Sequence, residues 1–161
     1  MSKVFNITAV IKSADGTSKE IKGKNIITND GDIYYASKIT GEPNDFPNPQ
    51  LRLGTDTTTP DKTDTDVKAF IAGSNKAVDA GFPQRGNTDP GNTTGGDVNA
   101  ITWKISYDLG DLNTTGIAEA ALVDDGTAPT KAICRFLFDT PFDVADSDQL
   151  TVYINHKFQG V

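Results

Sequence analysis

The sequence predicts a mainly β fold, an antiparallel β-sandwich of jelly-roll or immunoglobulin type with one short helix and a long polar loop. Three observations predict it. Apolar and polar residues alternate with a period of two in several separate segments, which puts one set on each face of a sheet. Clusters of Gly, Pro, Asp, Asn and Ser punctuate the chain between those segments, as turns require. Only one stretch carries helix start and stop chemistry. At 161 residues the chain suits one domain over 1–161, with its long loops within 54–97, burying roughly 70% of its unfolded surface.

The elements follow in order. Residues 3–12 form a strand rich in β-branched side chains, and Asp15-Gly16 turns it towards a short partner at 18–24. The stretch "NIITNDGDIYYASKITGEP" then changes character. Asn29 or Asp30 suits a helix cap, Ile33, Ala36 and Ile39 share a helical face, and Gly41 with Pro43 ends a helix of about three turns. Residues 54–97 are dominated by Thr, Asp, Gly, Asn and Pro; "DTDVKAFIAGSN" is an apolar island with strand character, and "PQRGNTDPGNTTGGD" is a long exposed loop.

Clean alternation returns in "NAITWKISYDL", with Ile101, Trp103, Ile105, Tyr107 and Leu109 on one face. "GIAEAALVDDGTAPTKAICRF" reads as a strand pair turning at Asp125-Gly126. The last stretch reads as a hairpin. Its first strand sets Ala132, Cys134, Phe136 and Phe138 opposite Ile133, Arg135 and Leu137, and its turn spans 139–148 around Pro141. Its second strand sets Leu150, Val152, Ile154, His156 and Phe158 opposite Thr151, Tyr153, Asn155 and Lys157. Trp103, Ile105, Phe136, Phe138, Leu150, Val152 and Ile154 are expected in one core between two sheets.

Charge and cysteine usage narrow the partners. A formal net charge of −7 and a pI near 4.5 argue against nucleic acid, which needs a basic stripe to neutralise phosphates. No stretch reaches the ~20 apolar residues of a membrane span, and no apolar leader opens the sequence, so synthesis and retention in a cytoplasm are expected. A lone cysteine excludes an internal disulfide and two-cysteine metal motifs.

The chemical candidates are few. His156 lies in an apolar row with no activating partner suggested by any motif, and is expected to be a hydrogen-bonded core residue. Cys134 shares a face with two phenylalanines and is expected to act as a small hydrophobe. Asp61, Asp64 and Asp66 form the densest carboxylate cluster, and Asp30-Gly31-Asp32 another; neither has calcium-loop spacing, so a solvated acidic turn is expected. Gly95-Gly96 does not join a strand to a helix, so no phosphate cradle is indicated. Carboxylates are plentiful enough for a glycosidase pair, but abundance does not give geometry. Tyr34, Tyr35 and Tyr153 suit either an aromatic sugar platform or core packing, and Trp103 heads a core row. The expectation is a protein that is not an enzyme, without catalytic residues, cofactor or metal.

Four segments carry a resemblance: "NIITNDG" at 25–31, "LRLGTDTTTPDKTDTDV" at 51–67, "GIAEAALVDD" at 116–125 and "CRFLFDTPFDVADSDQLTVYINHKF" at 134–158. In this order they resemble small structural proteins of tailed-bacteriophage particles, above all capsid decoration (cement) proteins and short tail-fibre or baseplate proteins. The resemblance implies a homotrimer on the outer surface of an assembled head, bound to the major capsid protein and holding neighbouring subunits together. The alternative it leaves is a tail-fibre or baseplate module that binds a host receptor or glycan. The loop at 73–97 and the segment before Phe5 are the expected contact elements.

Overall fold

The computed structural model describes residues 5–43, 46–86, 99–125 and 130–158. Among them nine strands and one helix follow in order. They are β1 (Phe5–Lys12), β2 (Ser18–Ile27), α1 (Asn29–Thr40), β3 (Gln50–Gly54), β4 (Lys76–Ala77), β5 (Gln84–Arg85), β6 (Ala100–Tyr107), β7 (Thr114–Val123), β8 (Ala132–Val144) and β9 (Gln149–Lys157). The strands pair in the order β4-β3-β7-β8-β2-β1-β9-β6-β5, each neighbour antiparallel. The expected mainly β, antiparallel, one-helix fold is what forms. Its facing layers are two halves of one continuous sheet, curled into a half-barrel.

The chain between β3 and β6 ties the two ends of that sheet together. β4 extends β3, and β5 extends β6. Between them Asp79 N–H donates to the Lys104 carbonyl at 2.9 Å, and the Asp79 carboxylate accepts from Ser106 N–H at 2.9 Å and Ser106 Oγ–H at 2.6 Å. Tyr107 Oη–H donates to the Ser74 carbonyl at 2.8 Å, while Ser74 Oγ accepts from Leu53 N–H at 3.0 Å. One run of chain thus covers part of both edges, which removes open ladder from edge-to-edge pairing.

The core follows the period-two reading. Trp103, Ile105, Phe136, Phe138, Leu150, Val152 and Ile154 lie in one buried cluster, joined by Ile7, Ala9 and Ile11 of β1. Tyr34, Tyr35 and Phe46 fill the same cluster from α1 and the chain after it. Tyr34 packs edge-on against Phe46, with ring centroids 5.3 Å apart, and tilted against Trp103 at 6.0 Å.

Several local expectations are corrected. The last two strands are not a hairpin. β8 pairs with β2 and β7, β9 pairs with β1 and β6, and the β1–β2 hairpin sits between them. Both strands need two neighbours to bury their apolar rows, and the local turn cannot supply them. β8 also runs through Pro141 to Val144. Proline is tolerated there because the β7–β8 register is irregular along that stretch. A further irregularity between Leu122 and Val123 places Ala132 with Val67, Ala121 and Val123, while Ile133 and Cys134 both enter the main core.

The helix has the expected length but the opposite buried face. Gly31, Tyr34 and Tyr35 are buried, while Ile33 is 63% and Ile39 85% exposed. Its cap is Thr28, whose Oγ accepts from Gly31 N–H at 3.0 Å; Gly41 closes it in the left-handed region at φ 74°. A Cβ on Gly31 would lie 1.9 Å from the Ile133 carbonyl oxygen, so only glycine lets this first turn rest on β8. Leu109 is 62% exposed because β6 ends at Tyr107 and the chain turns over 108–111. The island at 64–75 is not a strand; its one bridge is Gly54 to Phe70.

Candidate functional site

His156 is fully buried at the centre of a polar chain. Trp103 Nε1–H donates to Tyr35 Oη at 3.2 Å, Tyr35 Oη bonds His156 Nδ1, and Asn25 Nδ2 lies 3.1 Å from His156 Nε2. Both ring nitrogens thus have a hydrogen-bonding group beside them, Tyr35 Oη at Nδ1 and the Asn25 amide at Nε2. Burial pushes its pKa down to about 3, and burial also raises the Tyr35 phenol. The ring therefore stays neutral at ordinary pH and serves to join β9, β2, α1 and β6, as expected of a core histidine. Cys134 is fully buried, and burial pushes its thiol well above its usual value, away from thiolate chemistry.

A second cluster is one that sequence reading missed. Arg135 on β8 and Glu119 on β7 each interrupt an apolar strand and face outward from the core. Arg135 Nε–H donates to Glu119 Oε2 at 2.8 Å, Arg135 Nη2 lies 2.6 Å from the same oxygen, and Nη1–H donates to Asp64 Oδ2 at 3.0 Å. Lys68 Nζ reaches Asp64 Oδ1 at 2.5 Å. Glu119 Oε1 accepts from the Lys68 and Ala69 N–H groups, each at 2.9 Å. Gly54 makes room for it, since a Cβ there would lie 2.4 Å from Glu119 Oε1.

These contacts lay the segment 55–70 as a strap over the outer face of β3, β7 and β8. Val67 packs beneath it on Ala121, Val123 and Ala132. Arg52 Nε pairs with Asp66 at 3.0 Å while its guanidinium lies 3.6 Å from the Phe70 ring centroid. The expected solvated acidic turn holds for exposed Asp61 and is corrected for Asp64 and Asp66. Asp64 is 4% exposed, and Asp66 and Asp61 are engaged in pairing and turn bonds. Burial would raise the Asp64 carboxyl, but Asp61 N–H, Lys68 and Arg135 together hold it below the usual range. Asp32 of the Asp30-Gly31-Asp32 run pairs with Lys62 on the strap at 2.5 Å. Two charged residues placed inside apolar strands were the available signal for this cluster; the position of Asp64 had none.

The remaining half of the outer face is different. Register places side chains in rows across four strands. Lys22, Thr8, Tyr153 and Lys104 stand opposite one another, then Lys24, Asn6, Asn155 and Thr102, then Glu20, Val10, Thr151 and Ser106. Lys12, Lys22 and Lys24 are exposed; Val10, Thr151, Tyr153 and Lys104 are half-buried. Tyr34 and Tyr35 are in the core, so of the three tyrosines suited to a sugar platform only Tyr153 faces outward. A groove of about 390 Å³ opens beside Phe158, lined by Pro83, Arg85, Ala100 and Ile101.

Among the described residues no group of three or more His, Cys, Asp or Glu side chains is placed to hold a metal ion, and no helix is long and apolar enough to cross a membrane. Gly95-Gly96, the segment before Phe5 and residues 87–98 of the expected contact loop lie outside the described residues. Comparison of the chain with family models, with curated proteins and with solved structures finds no match.

Proposed function

We propose that this chain is an accessory structural protein of a tailed-phage particle, added to the outside of the assembled head as a cement protein. In this reading it forms a homotrimer, contacts the major capsid protein and holds neighbouring shell subunits together. The observation that carries the proposal is the outer side of β2, β1 and β9, where Asn6, Lys12, Glu20, Lys22 and Lys24 are exposed around half-buried Val10, Thr151 and Tyr153. The order of the four sequence segments supports the same reading.

Size makes the trimer part of the argument. Four strands at ~4.8 Å spacing and about eight residues at ~3.3 Å give a face of roughly 500 Å². A stable contact uses roughly 800 Å² per partner. One copy therefore binds weakly, and three copies in a closed ring add their contacts through effective concentration. A glycan-binding tail module would want coplanar exposed aromatics, and burial of Tyr34 and Tyr35 weighs against it.

The test compares heads with and without the chain during heating and chelation. Heads lacking it are expected to release DNA at lower temperature, and adding the purified protein should restore the difference. Equal resistance in both would contradict the proposal.

A further inference from the structure

The charge of the open face is the reverse of the charge of the molecule. On their outward side β1, β2, β6 and β9 carry Lys12, Lys22, Lys24, Lys104 and Lys157 against one carboxylate, Glu20, in a chain of net charge −7. The distribution within the face is equally uneven. Its central strands, β1 and β9, set half-buried Val10, Thr151 and Tyr153 in the middle rows, beside Thr8, which is buried. Lysines stand around that middle: Lys22 and Lys24 on β2, Lys104 on β6, and Lys12 and Lys157 at the strand ends. Two further carboxylates stand at its edge: Asp79, bonded to Ser106 and 3.7 Å from Lys104, and Asp108, which lines a groove with Lys12.

A neutral, aromatic-bearing centre inside a charged rim is how protein–protein contacts are built. We infer that this face takes an acidic protein surface, with Tyr153 as its central anchor and Lys12, Lys22, Lys24 and Lys104 pairing with carboxylates around it. The particle on which that surface lies follows from the reading above; the chemistry of the contact does not.

A polyanion fits less well. These four strands contain no arginine, the side chain that grips phosphate bidentately; Arg52 and Arg135 are held under the strap, and Arg85 on β5 stands opposite Ile101 and lines the groove beside Phe158. Single-strand binders stack successive bases on several aromatics, whereas Tyr153 stands alone on the described outer rows. Net charge also repels a long polyanion beyond the ~8 Å Debye length, while discrete carboxylates are met inside it.

Rim charges act on the association rate and its salt dependence, and a buried central tyrosine acts on dissociation. The experiment uses native particles, heads assembled without the chain, and free protein, with duplex DNA as a competing ligand. Acetylation of Lys12, Lys22 and Lys24 should fall at least five-fold on the particle relative to free protein, with Lys38 on α1 unchanged. Wild-type protein should lose about ten-fold in affinity for heads between 50 and 300 mM NaCl. K22E/K24E should bind at least ten-fold more weakly with a flatter salt slope, and Y153A should dissociate faster with the slope kept. K38E should match wild type.

Protection of these lysines on tails instead of heads would uphold the acidic-partner face and overturn the head reading. Unprotected lysines on the particle would overturn the face. So would protection by self-association of free protein, or binding of duplex DNA that K22E/K24E abolishes.

Discussion

His156 is the only histidine in the chain, which makes its burden on folding separable from every other group. Its pKa is about 3 in the folded protein because it is buried, against an ordinary 6.5 once unfolded. Below pH 6.5 the unfolded state binds a proton that the native state refuses, so stability is complete above 6.5 and falls as pH drops towards 3. The slope reaches about 1.4 kcal/mol per pH unit. Carboxylates titrate mostly below pH ~4.5, so between 6.5 and 4.5 the loss belongs to His156. Urea titrations across that window should show wild type losing stability and His156→Asn losing little, from a lower start at pH 7 because the Asn25–Tyr35–Trp103 chain is broken. A His156→Asn protein with the wild-type pH dependence would show that the ring is not buried neutral.

What was legible at this scale depended on whether a residue's surroundings were local. His156, Cys134 and Trp103 sit in rows whose period-two neighbours announce their burial, and all three are core. Ile33 and Ile39 misled because hydrophobicity alone does not choose a helix face. Tyr34 and Tyr35 bury larger rings, and the Tyr35 hydroxyl finds Trp103 and His156 already waiting.

At the scale of elements, strand existence was readable and strand partnership was not. Alternation marks β6, β8 and β9 without reference to neighbours; β1 pairs with β2 across Asp15-Gly16 and β7 pairs with β8, while Gly126 of the second expected turn lies outside the described residues. Alternation says nothing about the β1–β2 hairpin lying between β8 and β9, since that arrangement is fixed by which apolar rows meet across the core. The strap is the clearer case. Residues 55–70 have loop composition, yet they are held by a guanidinium 71 positions from Asp64 in sequence.

Burying such charges is tolerable only while they are paired. Arg135→Met would leave Glu119 without its cation and Asp64 with Lys68 alone, and should destabilise the fold by about 3–5 kcal/mol. Glu119→Leu alone should be similarly harmful, since it removes the partner of Arg135 Nε and Nη2 and the acceptor of the Lys68 and Ala69 N–H groups. The double variant should lose at least 1 kcal/mol less than the sum of the two, as coupled neighbours do. Denaturant unfolding of the four proteins checks this. Additive losses would mean that the two side chains do not share one cluster.

For the whole molecule, two kinds of polar residue do opposite work. Those inside or under the strap are fully engaged with one another and fasten the half-barrel shut. On the outer side of β2, β1 and β9, exposed Lys12, Lys22 and Lys24 surround half-buried Tyr153. A folded unit whose fixed polar groups are turned inward, and whose open sheet face carries lysines against the sign of the whole chain, is suited to sit on another protein. The most direct measurement is therefore a reconstruction of purified phage particles in which this chain is located. The account predicts three copies around a symmetry axis on the head exterior, each with Tyr153 and Lys22 turned towards the shell. Density for the chain in the tail, or a head-bound chain with that sheet face turned to solvent, would contradict it.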